Sequence, residues 1–272
     1  MEPGSSFSGV LKIRIVGLLA FGLFIGNSVC EAAVKTQVIK YKVDSQECVG
    51  YLAWDDANSG QRPGVLVVHE WWGLNGYAKH RAEELAKLGY VAFCADMYGD
   101  GKVVDHPNDA LQMATQVRSN VDEWRKRAQV ALATLKAQPQ CDPEKVAAIG
   151  YCFGGSTCLQ LAATGADVQA VATFHAGLPK ITADDAKRIK GRILICNGAD
   201  DKFIPAEAIQ AFRQALDAAD RNYEFVNYPG AVHSFTVPDA DKVGNPGMKY
   251  QPQADQDSWK RMRDLFATTI GK

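Results

Sequence analysis

Three residue types that together can transfer an acyl group occur in order along the second half of the chain: a cysteine, a carboxylate and a histidine. Cys152 is the tip of Gly150-Tyr151-Cys152-Phe153-Gly154-Gly155. An apolar run, Val146-Ala147-Ala148-Ile149, enters this segment, and helix-forming residues follow it. A strand that turns sharply into a helix leaves no space for side chains beside the turning residue, so glycines flank it, and the pattern is a G-x-S-x-G nucleophile elbow with sulfur in place of oxygen. A thiol placed there needs a base to hold the thiolate and an acid to orient the base. The run Ile193-Leu194-Ile195-Cys196 leads into Asn197-Gly198-Ala199-Asp200-Asp201, which offers the acid. Tyr223 to Val226 leads into Pro229-Gly230-Ala231-Val232-His233, which offers the base. Asp201 is preferred to Asp200, since neighbouring loop side chains point apart and one alone reaches His233; Asp200 then serves a turn or a helix cap. His233 takes the thiol proton and later delivers it to the leaving alkoxide. His69, His80, His106 and His175 have weaker claims: His80 reads as a solvated helix residue, and His106 precedes Pro107 in a loop.

Acyl transfer also needs donors for the developing oxyanion. The backbone N–H of Phe153, next after the nucleophile, is one. The loop after Val65-Leu66-Val67-Val68, which reads His69-Glu70-Trp71-Trp72-Gly73, supplies the second candidate, the N–H of Trp71. Glu70, flanked by that loop's tryptophans, would be poorly solvated and its pKa raised. Trp72, Tyr98, Phe203 and Phe235 neighbour the same place and are expected to line an apolar pocket.

The elements that must position these groups alternate. Strands are expected at 64–68, 90–95, 145–149, 170–174, 192–197 and 222–228, and helices at 77–88, 120–137, 156–164, 206–219 and 255–269. Two stretches at 36–43 and 49–54 have no helix between them and read as an antiparallel pair. The alternation predicts an α/β protein with a doubly wound, mostly parallel sheet, antiparallel at its N-terminal strands, with ligands beyond the carboxyl ends of the parallel strands.

Ahead of this region, Lys12 and Arg14 precede the apolar stretch Ile15 to Ile25, and small residues follow to Ala32-Ala33. This is the pattern of a secretory signal peptide over residues 1–32. It predicts an exported protein, periplasmic or secreted, with one domain over 33–272 and no membrane insertion after the signal is removed. Cys30 lies in a poor lipid-attachment context. Of the other six cysteines, Cys94 and Cys196 sit in strand-like runs and read as buried, whereas Cys48 and Cys141 lie in polar, turn-like surroundings and would pair if the fold brings them together. No C-x-x-C occurs, so metal and thioredoxin-like readings are weak. A net charge of −1 without a basic cluster argues against nucleic acid. A cofactor-free protein taking a small-molecule substrate, as a monomer or weak oligomer, is expected.

Gly150 to Gly155, His69-Glu70-Trp71-Trp72-Gly73-Leu74, Ala95-Asp96-Met97-Tyr98 and His233-Ser234-Phe235 resemble the dienelactone hydrolase family of the α/β-hydrolase superfamily, over roughly residues 36 to 270. The resemblance implies a carboxymethylenebutenolidase-type hydrolase of esters or lactones with a Cys152, Asp201, His233 triad. It further implies that Glu70 restrains the resting thiol and turns away when substrate binds. One departure stands out. Family members acting on dienelactone carry arginines just after the D-x-Y segment and four residues beyond the triad histidine, where this chain has Asp100 and Val237. A neutral or aromatic ester is therefore favoured over an anionic lactone. A thioesterase or peptidase, a catalytically idle binding protein and a redox thiol protein are the competing expectations.

Overall fold

Runs of β-branched and apolar residues bounded by turns make eight strands in the computed structural model, which describes residues 1–4, 34–57 and 59–271. The chain separates into Met1–Glu31 and Ala32–Lys272, and every element below belongs to the second. The signal-peptide pattern and Cys30 lie outside the described residues, apart from residues 1–4. Among the described residues no helix is long and apolar enough to cross a membrane.

The strands are β1 (Val34–Val43), β2 (Gln46–Asp55), β3 (Arg62–Val68), β4 (Val91–Ala95), β5 (Cys141–Tyr151), β6 (Ala170–Phe174), β7 (Arg192–Gly198) and β8 (Tyr223–Tyr228). They form one sheet in the order β1-β2-β4-β3-β5-β6-β7-β8. β1 pairs antiparallel with β2, and β2 antiparallel with β4; all later pairings are parallel. The helices are α1 (Gly76–Lys87), α2 (Pro107–Arg118), α3 (Val121–Lys136), α4 (Phe153–Ala163), α5 (Ala183–Arg188), α6 (Ala206–Ala218) and α7 (Pro252–Thr269). This is the α/β-hydrolase architecture, doubly wound and mostly parallel with antiparallel N-terminal strands.

Because side chains alternate across a strand, each central strand feeds two cores. Leu66 and Val68 of β3 pack with Leu135 of α3, Phe153 and Leu159 of α4 and Phe212 of α6. Val65 and Val67 pack on the other face with Ala82 and Leu85 of α1 and Met262 and Phe266 of α7. Burial on both faces is why β3, β4 and β6 read as short, mostly apolar runs.

Two helices lie outside the predicted set. Helix α2 buries only Ala110 and Ala114, too little for an apolar stripe, and His106 is its N-cap, accepting from the Asn108 N–H at 3.3 Å. α5 spans six residues and rests on a capping box between Thr182 and Asp185.

The expected surroundings of Cys48 and Cys141 are corrected. Both thiols are fully buried and free. They stand on β2 and β5, three strand spacings apart, or about 14 Å. That exceeds the reach of a disulfide.

Candidate active site

The carboxyl ends of β3, β4, β5, β6, β7 and β8 converge, and each contributes a polar side chain to one place. Cys152 leaves β5 with φ +51° and ψ −114°, a strained backbone for a side-chain-bearing residue, and its N–H is held by the Phe174 carbonyl of β6 at 3.0 Å. The neighbouring glycines permit the turn. A methyl group on Gly150 would collide with the Gly154 carbonyl, and one on Gly154 with the carbonyls of Val68, the last residue of β3, and of His69 just after it.

The loop after β8 carries His233, of which 7% is exposed. Its Nδ1 donates to Asp201 Oδ2 at 2.7 Å. Asp201 is buried, and its other oxygen accepts from the Phe203 N–H at 2.9 Å. Asp200 is exposed, and its N–H is spent on the Ala231 carbonyl at 3.0 Å. Burial alone would depress the His233 pKa. The negative charge of Cys152 and the hydrogen bonds to Asp201 and Cys152 outweigh it and raise the value to about 10. The arrangement therefore favours the charged imidazolium form of His233.

Phe153 opens α4, where the first N–H groups of a helix have no partner within it. The N–H of Trp71 likewise donates to no backbone carbonyl among the described residues. The Phe153 and Trp71 amides are thus both left without a backbone acceptor among the described residues. Next to Trp71, Glu70 is buried, and its Oε1 accepts from Ser234 Oγ at 3.1 Å. Burial pushes its pKa above the usual carboxylate value, against the opposing pull of His233 and the Ser234 hydroxyl.

The predicted pocket residues separate. The Tyr98 hydroxyl donates to the Trp71 carbonyl at 2.7 Å, and the charge of Cys152 acts on that phenol after burial, both raising its pKa. Trp72 is half-buried with its ring 4.9 Å from that of Trp71. Phe203 is 52% exposed and stands edge-on to His233 at 5.3 Å. Phe235 is a correction. It is fully buried, packing beneath His175 at 5.4 Å and Tyr228 at 5.5 Å, because the positive φ of Ser234 turns the chain back into the core.

In the sequence, several neighbours of the site carry a weaker claim, as His175 does, or none. His175, at the end of β6, is fully buried with its ring 5.1 Å from that of His233, and its Nε2 meets Thr236 Oγ1 at 2.9 Å. Ser234 is the buried partner of Glu70. Arg118, the last residue of α2, holds its guanidinium 5.2 Å from the Phe153 ring centroid. It lines a cleft with Trp124, Ser156, Gly177, Leu178 and Lys180, in which no carboxylate takes part. By contrast Asp100 is exposed with Lys102 Nζ 3.8 Å away. Arg118 thus brings a side-chain cation from α2 to the Phe153 ring, where no pattern in the sequence pointed. Among the described residues no three His, Cys, Asp or Glu side chains converge as a metal site.

The model of the dienelactone hydrolase family matches residues 49–270. A Synechocystis sp. protein named as a candidate carboxymethylenebutenolidase is 27% identical over 250 residues, covering 87% of this chain and 98% of its own. A solved structure named m3DLH is 42% identical with a TM-score of 0.86, covering 88% of this chain and 99% of its own. The crystal structure of a dienelactone hydrolase-like promiscuous phosphotriesterase from metagenomic libraries is also 42% identical, with a TM-score of 0.85 and coverage of 88% and 100%.

Proposed function

The chain belongs to the dienelactone hydrolase family, and from that premise we propose that it hydrolyses carboxylic ester or lactone bonds with Cys152 as nucleophile. The observation that carries this reading is the single imidazole of His233, held by Asp201 at 2.7 Å and drawn to the imidazolium form by Cys152. The thiolate attacks the acyl carbon, and the carbonyl oxygen takes the developing charge between the Phe153 and Trp71 amides. Collapse of that intermediate breaks the carbon–oxygen bond, and the His233 imidazolium gives its proton to the departing alkoxide. Water, deprotonated by the same imidazole, then cleaves the thioester and restores the thiol. The two amides act on charge that is absent from the ground-state carbonyl and develops during attack, so they raise kcat rather than lower KM.

Glu70 has a part in thiol control in this reading. A second carboxylate near His233 competes with Cys152 for the imidazolium. Export as a periplasmic or secreted protein is supported by the charge, apolar and small-residue order of residues 1–32. Fractionation of expressing cells and sequencing of the mature N-terminus test it.

The reading is tested by hydrolysis of a short p-nitrophenyl ester, with Cys152→Ala alongside and a dienelactone as second substrate. Turnover lost in the variant supports the cysteine hydrolase; equal inertness of both proteins overturns it. A second reading, hydrolysis of phosphotriesters by the same thiol, is favoured by the likeness to the phosphotriesterase at 42% identity over nearly all of both chains. Paraoxon in the same assay separates the two.

A further inference from the structure

His69 follows directly after β3, with its side chain fully buried and both ring nitrogens engaged. Its Nε2 lies 3.2 Å from the Met97 backbone N–H, which can only donate, so this nitrogen carries no proton. Its Nδ1 meets the Glu70 carbonyl, which can only accept, so this nitrogen carries the proton. The two backbone partners therefore select one neutral tautomer. Burial agrees, because it holds the pKa of His69 below the ordinary histidine value against the opposing pull of the Glu70 carbonyl and Asp96.

The Glu70 carbonyl and the Trp71 N–H belong to the same peptide plane, so a donor on that oxygen sets the direction of that N–H. The next carbonyl, of Trp71, is held by the Tyr98 hydroxyl at 2.7 Å. The Glu70 carbonyl also accepts a longer bond from the Gly73 N–H at 3.4 Å, but the two shorter clamps trace to the loop after β4, through Met97 and Tyr98. Asp96 stiffens that loop: its carboxylate accepts from the N–H groups of Tyr98, Gly99, Gly101 and Val49 at 2.8–3.1 Å. The His69 ring also lies 5.0 Å from that of Tyr98 and stacks at 5.9 Å on that of Phe153, the residue of the other candidate amide.

We propose that His69 is a positioning residue for acyl transfer: as the Nδ1–H tautomer it fixes the Glu70–Trp71 peptide so that the Trp71 N–H faces the developing oxyanion. This rests on the cysteine hydrolase reading. The alternative is a histidine that merely satisfies two buried backbone groups, and the two differ in what its loss does to the reaction.

The test uses His69→Phe, which keeps the ring and its stacking but neither nitrogen, and compares two reactions of Cys152. Acylation by p-nitrophenyl acetate creates an oxyanion; alkylation by iodoacetamide does not. In His69→Phe the burst rate and kcat fall roughly 10- to 100-fold, with KM within about threefold and the alkylation rate within about twofold of the native protein. Equal losses in both reactions, or native kcat in a folded variant, overturn the proposal. If His69→Phe does not fold, His69→Asn and His69→Gln decide, since Asn alone can place an N–H where Nδ1 stands. Asn keeps the higher kcat; equal or reversed order overturns the assignment. If the native protein shows no esterase turnover at all, it is the underlying hydrolase reading that fails, since the alkylation assay still reports the thiol.

Discussion

Asp201 Oδ2 lies 2.7 Å from His233 Nδ1, and both side chains are buried, so the carboxylate has one ring nitrogen to orient and almost no water to share it with. With Nδ1 committed to Asp201, Nε2 is left for the thiol. Asp201→Asn removes one of the causes that raise the histidine pKa to about 10. NMR titration of the imidazole is expected to show a lower value in this variant, and a lower value again in Cys152→Ala, which removes the largest raising cause. Turnover of Asp201→Asn falls roughly 100- to 10,000-fold. Asp200→Asn, altering an exposed side chain, leaves both within about twofold; a strong loss there would mean that the wrong aspartate had been assigned.

Glu70 makes the stability of the fold depend on pH. Its folded pKa is raised above 4.5, so the folded chain binds the proton more tightly than the unfolded one. Stability is therefore lost as pH rises from about 4.5 through the folded value. Glu70→Gln removes that dependence and keeps an acceptor for Ser234. Urea unfolding is expected to find the two proteins alike near pH 4 and the variant more stable at pH 8; a variant less stable at pH 8 would contradict the sign. In the same pair, inactivation by peroxide at pH 8 is faster in Glu70→Gln if the carboxylate restrains the thiol, because the thiolate is the oxidisable form.

Most of the scaffold could be read from the chain because central strands of a parallel sheet are buried on both faces and so appear as short apolar runs. The site was legible in the placement of Cys152 and His233, each in the turn or loop after a strand, while their roles belong to the proposed hydrolase reading. It was illegible where the role comes from a partner distant in sequence. Nothing near His69 announces Met97, and nothing near Glu70 announces Ser234. Arg118 arrives on α2, a helix whose buried residues are alanines and whose Leu111 is exposed, so no periodic apolar stripe marked it. Phe235 was misplaced for a local reason: the left-handed backbone of Ser234, φ +55°, reverses the side to which the next residue points.

Arg118 supplies a prediction about substrate charge. Its guanidinium rests on the Trp124 and Phe153 rings at 5.9 and 5.2 Å, and no carboxylate lines the cleft it shares with Lys180. A negative group on the acyl chain of a substrate would meet a cation there. Because the side chain is exposed, solvent screens the interaction, and roughly a three- to tenfold effect is expected. Arg118→Ala should lower kcat/KM for a p-nitrophenyl hemisuccinate by that factor and leave p-nitrophenyl acetate unchanged. Equal effects on both esters would mean that the residue acts by supporting the Phe153 ring.

Two glycine substitutions separate helix propensity from close packing. Alanine is favoured over glycine inside a helix by about 1 kcal/mol, so Gly154→Ala in α4 would stabilise the protein if propensity ruled. Here the added methyl group would lie against the Val68 and His69 carbonyls, which belong to the central strand β3 and its end. A backbone oxygen fixed in the middle of a sheet cannot step aside as a flexible side chain can. Overpacking of this kind costs about 1–3 kcal/mol or more, which exceeds the propensity gain. It would also push α4 away from β3 and carry the Phe153 amide with it. Gly76, the first residue of α1, has nothing within 4 Å of an added methyl group. Gly76→Ala is therefore expected to be neutral or to raise stability by up to about 1 kcal/mol, with turnover unchanged. Gly154→Ala is expected to lower the melting temperature and to reduce ester turnover further than the lost folded fraction explains. Full turnover in a folded Gly154→Ala protein would show that the elbow tolerates the displacement.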